Sequence, residues 1–151
     1  MKWCLVYIDM DGTICGETDW KGFWWNILQL YKGIKYRPPE DLKWTLLTSR
    51  PKIDLPIIKS VCLKYNLRPE KIITAPTWLY KFEDLQQVAN WKYSIMSKDL
   101  SDSMVDEAIY IDDDSELMVK IPRRNGLKIC STNAAKQILE SLRGNARWEN
   151  P

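Results

Sequence analysis

Two carboxylates two residues apart, Asp9 and Asp11, follow the apolar run Leu5–Ile8 and are followed at once by Gly12-Thr13. Thr48 and Ser49 end a second apolar run, and Asp112-Asp113-Asp114 ends a third, Ala108–Ile111. A strand that stops in Asp-x-Asp-Gly-Thr presents acidic groups and a tight, glycine-permitted turn. Residues two apart at such an end point to the same side, which suits carboxylates that act together on one reacting group. Clustered carboxylates repel, so this set needs a cation to be tolerated. The sequence has no histidine. Oxygen donors without imidazole or thiolate select a hard ion, and Mg²⁺ is the natural choice. The same absence excludes Ser-His-Asp and Cys-His hydrolases and His-ligated zinc. Catalysis must then run on carboxylates, Lys, Thr or Ser, Arg and a hard metal.

These groups meet only if the strands carrying them lie parallel and end at one edge. The apolar patterning predicts five strands, the first being Leu5–Ile8. The second, Trp44–Thr48, is cut off by Pro51, which forbids further ladder pairing. Lys71–Ala75, Ala108–Ile111 and Leu127–Cys130 complete the set. Between them the spacing predicts helices over 54–65 (with Ile57, Ile58, Val61, Cys62 and Tyr65 as its apolar stripe), over 82–100 with one break, over 116–121 capped by Ser115, and over 133–143. The connection 14–43 is rich in aromatics: Trp20, Phe23, Trp24, Trp25, Tyr31 and Tyr36. Asp19 could cap a helix over 20–31, ended by Gly33, which either covers the sheet or forms a small lid or stacking wall beside the site. Strand alternating with helix argues an α/β fold with a mainly parallel sheet and helices on both faces. The expectation is one Rossmann-like, doubly wound domain over 1–143, with a short aromatic-rich helical insert after the first strand (a cap or flap over 14–43) and a flexible tail over 144–151. In open sheets of this kind ligands bind at the carboxyl edge.

Hydrophobic residues make up 45% and charged residues 28%, a soluble globular composition. A net charge of +2 places no demand for a nucleic-acid partner. No apolar run approaches a spanning helix, and the first residues do not resemble a cleaved signal, so no membrane partner and a cytoplasmic location are expected. Cys4, Cys15, Cys62 and Cys130 are scattered, without a Cys-x-x-Cys pair. Cys4, Cys62 and Cys130, in apolar surroundings, are expected as buried thiols in a reducing compartment, and Cys15, close to the site, as a neutral bystander.

Asp9-Met10-Asp11-Gly12-Thr13 resembles the first motif of the haloacid dehalogenase superfamily of aspartate-nucleophile phosphatases. Leu46-Leu47-Thr48-Ser49-Arg50 is similar to its second motif, and Asp112-Asp113 to its acidic fourth. Lys92, upstream of the fourth strand at the family's usual separation, fits the third motif better than Lys98 or Lys81. The resemblance implies an Mg²⁺-dependent phosphomonoesterase. Asp9 would form an aspartyl-phosphate, and Asp11 would protonate the leaving oxygen and then activate water. Thr48 would bond a phosphoryl oxygen, with Lys92 supplying positive charge. Gly12, Thr13, Ser49 and Arg50 would bind substrate, Arg50 through bidentate bonds. The metal set would come from Asp9, Asp11, Asp112 and Asp113, with the Met10 carbonyl between the first two.

A response-regulator receiver domain also combines Asp, Thr and Lys on a small α/β fold, but it carries its acceptor Asp on a middle strand, which here ends in Thr74-Ala75-Pro76. A fold of the dehalogenase type that binds without turnover, and a phosphatase of a sugar or metabolite phosphate, also accommodate these residues. The insert is too short for a large cap domain. Thr48-Ser49-Arg50, and Asp112-Asp113 followed by Arg123-Arg124 and Gly126–Ile129, resemble the phosphatase part of polynucleotide kinase phosphatases. That points to a nucleotide or nucleic-acid phosphate end as substrate. No Gly-x-x-x-x-Gly-Lys-Ser/Thr loop for a kinase half is present. A monomer or homodimer is expected.

Overall fold

Five apolar runs of β-formers assemble into one sheet in the computed structural model, which describes residues 4–16, 33–80 and 84–143. The strands are β1 (Cys4–Ile8), β2 (Thr45–Pro51), β3 (Lys71–Ala75), β4 (Glu107–Ile111) and β5 (Leu127–Cys130). Their spatial order is β3-β2-β1-β4-β5, and every pairing is parallel. The helices are α1 (Leu55–Lys64), α2 (Thr77–Tyr80), α3 (Leu85–Asp102), α4 (Ser115–Lys120) and α5 (Thr132–Arg143), with a short 3₁₀ turn, Lys52–Asp54, before α1. After β1 the chain first builds outward through β2 to β3, then returns to the other side of β1 for β4 and β5. The direction reverses at β1, so its carboxyl end opens on a crevice between neighbouring crossovers. The arrangement is consistent with a Rossmann-like fold.

Alternation along β1 splits the core in two. Val6 and Ile8 pack with Ile58, Val61 and Cys62 of α1 and with Ala135 and Leu139 of α5. Tyr7 packs on the opposite face with Ala89, Trp91, Met96 and Leu100 of α3 and with Leu117 of α4. Helices therefore cover both faces. Two buried tyrosines, Tyr7 and Tyr110, stand in register on β1 and β4 beneath α3. Among the described residues no helix is long and apolar enough to cross a membrane.

Several boundaries differ from those the sequence suggests. Strand β2 does not stop at Thr48; it runs to Pro51, which is level with Ala75 of β3 after a register irregularity between Leu47 and Pro51. Proline is tolerated at a strand's end or where pairing is irregular, so it stands here as the last residue of the strand. The region 82–100, expected as a helix with one break, instead holds α3 running without interruption over Leu85–Asp102, and Asp84 caps it by accepting from Gln86 N. Helix α4 is capped by Asp114, not Ser115: the Asp114 side chain accepts from Glu116 N and Leu117 N. An aspartate one position earlier satisfies two orphan amides, and Ser115 becomes the first helical residue.

The expected helix over 20–31 and the tail over 144–151 lie outside the described residues. The base of the insert is described. Cys15 bridges antiparallel to Ile34, and Ile14 O accepts from Lys35 N and Tyr36 N. Residues 14–16 and 33–36 thus run side by side next to the carboxyl end of β1. Tyr36, grouped from sequence with the aromatics of a lid or wall, is 4% exposed and belongs to the core beside Val6 and Ile8.

Candidate active site

The carboxyl end of β1 and the end of β4 meet in a closed ring of hydrogen bonds. β1 and β4 pair up to Ile8 and Ile111, and Asp9 N donates to Ile111 O (3.0 Å), so Asp9 and Asp112 leave neighbouring strands side by side. Lys92 of α3 is fully buried and donates to Asp9 Oδ1 (2.8 Å) and to Tyr110 OH (2.7 Å). Tyr110 OH donates to Asp112 Oδ2. Thr13 Oγ1 closes the ring, 3.0 Å from Asp9 Oδ2 and 3.3 Å from Asp112 Oδ1. A hydroxyl has one proton and serves one of these oxygens at a time. Asp113 N and Asp114 N steady the ring by donating to Thr13 Oγ1 (3.2 Å) and Asp112 Oδ1 (2.8 Å).

The ring is short of positive charge. Burial pushes the Asp9 carboxyl up to about 7; Lys92 pulls it down, while Asp112 and Asp11 push it further up. Burial, with Asp9 and Asp112 beside it, raises the Tyr110 hydroxyl well above its ordinary range, so Tyr110 stays a donor. Lys92 Nζ is 4.0 Å from Asp112 Oδ2 and answers both carboxylates with one charge.

Asp11 stands apart from this ring. Arg50, 5% exposed at the end of β2, grips it with Nε on Oδ2 and a terminal nitrogen on Oδ1, both at 2.8 Å. Its other terminal nitrogen is 3.4 Å from the buried Asp54. This planar fork-to-fork contact is one that Lys could not make. Between Asp11 and Thr13 the chain turns at Gly12 with φ +76°, a left-handed conformation that glycine adopts at little cost.

The three consecutive aspartates do three different things. Asp112 joins the ring. Asp113 accepts from Thr132 N and Thr132 Oγ1 (both 2.9 Å) at the first turn of α5, and pairs with Lys35 Nζ at 2.8 Å. Partial burial would raise its carboxyl, but Lys35 and Thr132 outweigh this and hold it below the usual range. Asp114 caps α4. Lys35 also donates to Gly12 O (3.0 Å) and so ties the base of the insert to both acidic strand ends.

Of the residues singled out from sequence, Asp9, Thr13, Lys92 and Asp112 come together in the ring, and Asp11 and Arg50 form a pair beside it. Thr13 is completely buried, and its hydroxyl braces the carboxylates. Thr48 is buried on β2, two residues beyond Leu46, which pairs with Ile8 of β1, and its hydroxyl accepts from Arg50 N (3.1 Å). Ser49 is exposed, and the carbonyl of Gly12 takes Lys35. Sequence reasoning misses Tyr110, Lys35, Asp54 and Thr132. Tyr110 carries the clearest signal: it sits two residues before Asp112 on the same strand, and a buried tyrosine hydroxyl seeks a partner. Nothing in the local sequence links Lys35 to Asp113, because that contact depends on how the insert folds back.

A hard cation fits this donor set in a restricted way. Among the described residues no three acidic or thiol groups stand together at the spacing of a metal cage. The Met10 carbonyl, expected as a ligand, accepts from Thr13 N (3.3 Å) and Cys15 N (3.0 Å) within the turn. Asp113 and Asp11 are engaged by Lys35 and Arg50. What suits Mg²⁺ is the buried Asp9–Asp112 pair, oxygen donors whose mutual repulsion a cation would relieve. Mg²⁺ commonly uses one or two carboxylates and completes its shell with water and phosphate oxygens. Cys15 is buried, and burial pushes its thiol up to about 12, so it stays protonated beside the site. No family model matches the chain, and no curated protein or solved structure does.

Proposed function

We propose that the chain is an Mg²⁺-dependent phosphomonoester hydrolase of the haloacid dehalogenase type, acting through an aspartyl-phosphate on a nucleotide or nucleic-acid phosphate end in the reducing cytoplasm. The observation that carries this reading is the meeting of Asp9, Lys92 and Asp112 at the carboxyl edge of β1 and β4, with Asp11 and Thr48 on the adjoining turn and strand. Four free cysteines suit a reducing compartment.

Asp9 is the nucleophile. One of its oxygens bonds to phosphorus as the ester P–O bond breaks, and Lys92 and Thr13 hold the carboxylate in place for attack. Asp11 protonates the departing oxygen, then takes a proton from the water that cleaves the acyl-phosphate. Both Asp11 oxygens are on Arg50, so one must be released first. A phosphoryl group that draws the Arg50 fork to itself would free Asp11 at the moment it is needed. Thr48, which accepts from Arg50 N, keeps its own proton to donate to a phosphoryl oxygen. Asp9 and Asp112 would hold Mg²⁺, which would neutralise phosphate charge. Asp113 shapes the site from behind through Lys35 and α5.

The test is phosphate release with Mg²⁺ across 5′- and 3′-nucleoside monophosphates, phosphorylated oligonucleotide ends and sugar phosphates. Wild type should release phosphate, and Asp9→Asn should fall to background. Release that persists in Asp9→Asn would sink the aspartyl-phosphate reading, and silence across the panel by folded, Mg²⁺-loaded protein would leave a fold that binds without turnover.

A further inference from the structure

Beside the ring, at the sheet's β3 edge, lies an open cleft of about 900 Å³ to which no role has been given. Its walls include Ile73 and Thr74 of β3, Trp78 of α2, Trp91 and Ile95 of α3, and Lys52. None of the ring's residues lines it, yet two of its walls are continuous with the site. Lys52 follows Arg50 by two residues, and Trp91 directly precedes Lys92. Trp78, a large aromatic, is 53% exposed, whereas Trp91 is buried against the core. Among the described residues no carboxylate lines the cleft, and Lys52 is the one charged wall residue. Next to an acidic catalytic edge, this is an apolar, aromatic and cationic recess. It complements a molecule that joins a flat apolar body to an anionic group.

Distance narrows the choice. Neighbouring strands lie about 4.8 Å apart, so the cleft's β3 wall stands two strands, roughly 10 Å, across the sheet from β1, the strand that Asp9 ends. An aromatic ring esterified directly to phosphate, as in phosphotyrosine, is held too close to the phosphorus to reach that far. A nucleobase is set off from its phosphate by a ribose and spans the gap. We infer that the cleft is the nucleobase subsite of the phosphatase, with Trp78 the platform on which the base stacks and Lys52 steering the substrate's anionic backbone. The inference rests on the phosphatase reading and adds to it where, and by which residue, a nucleotide is told from a sugar phosphate.

Stacking on an aromatic is independent of base identity, so all four bases should serve. The test compares kcat/KM for nucleoside 5′-monophosphates, ribose 5-phosphate and phosphotyrosine, in wild type and in Trp78→Ala with Mg²⁺ present. Trp78 is half exposed, and its removal leaves the core intact. Nucleotides should exceed ribose 5-phosphate by about fivefold or more, and Trp78→Ala should erase most of that excess through KM. Lys52→Ala should weaken nucleotides in a salt-dependent manner. Equal rates for nucleotide and ribose 5-phosphate, or an excess that survives Trp78→Ala, would overturn the subsite while leaving the phosphatase intact. A preference for phosphotyrosine lost in Trp78→Ala would overturn it too. Calorimetry with the four unphosphorylated ribonucleosides makes the result independent of turnover. Binding by wild type that Trp78→Ala abolishes supports the subsite even if no phosphate is released. Nucleosides that bind both proteins alike, or neither, overturn it.

Discussion

Lys92 sits fully buried between two carboxylates and a tyrosine, a position few lysines occupy without a partner for their charge. Replacing it by methionine keeps the volume and removes the charge, so Asp9 and Asp112 would face each other uncompensated. Lys92→Met is expected to lower stability by about 3–5 kcal/mol, read from urea midpoints, and to abolish phosphate release. Tyr110→Phe removes one donor from Asp112 and one acceptor from Lys92, and should cost about 1–3 kcal/mol. A change below about 0.5 kcal/mol in that variant would mean the ring closes without Tyr110. The acidic strand ends are legible from type and spacing alone, because parallel strands must bring their carboxyl ends to one edge. The division of labour among Asp112, Asp113 and Asp114 is not. Their tasks depend on α4 and α5, whose first turns supply amides to two of the three, and identical residues in a row carry no mark of which amide each will meet.

At the scale of elements, the strands can be read because each is a short apolar run, and their limits cannot be read where side-chain chemistry competes with the ladder. Pro51 reads as a stop for β2 and instead lies level with Ala75, after the register shifts between Leu47 and Pro51. The same competition moves the cap of α4 to Asp114. Asp114→Ala should cost about 1 kcal/mol, and Ser115→Ala close to nothing, a contrast that thermal melts can resolve. The turn into β5 is less forgiving. Gly126 has φ +85°, and a Cβ there would lie 2.2 Å from the Asp106 carbonyl oxygen. Its own carbonyl meanwhile accepts from Ala108 N at 2.7 Å. Backbone cannot step aside as a side chain could. Gly126→Ala is therefore expected to destabilise by more than the 1–2 kcal/mol or so of a left-handed residue alone, and more than Gly12→Ala, where the added Cβ meets nothing within 4 Å.

The whole molecule inherits a pH dependence from its central strand. Asp9 titrates at about 7 in the folded chain and near 3.9 unfolded. Between those values the native state binds more protons than the unfolded state, so this group lowers stability as pH rises through that window. Asp113 has the opposite sign: its depressed carboxyl contributes stability above its unfolded value, which is lost as pH falls through the folded one. A cation held by Asp9 and Asp112 competes with the proton on Asp9. Millimolar Mg²⁺ should therefore raise the melting temperature more at pH 8 than at pH 5; equal shifts would remove Asp9 from the metal's ligands. Strand order has a consequence for synthesis as well. Cys4–Ile8 pairs with Glu107–Ile111, about 100 residues later in the chain. A ribosome adding roughly 5–20 residues per second leaves one flank of that first strand without its partner for about 5–20 seconds. Until then the nascent chain displays an apolar edge open to strangers, and its aspartate at position 9 waits for a neighbour not yet translated. Codon choice and chaperone access over that interval therefore bear on how much of the chain reaches the folded sheet.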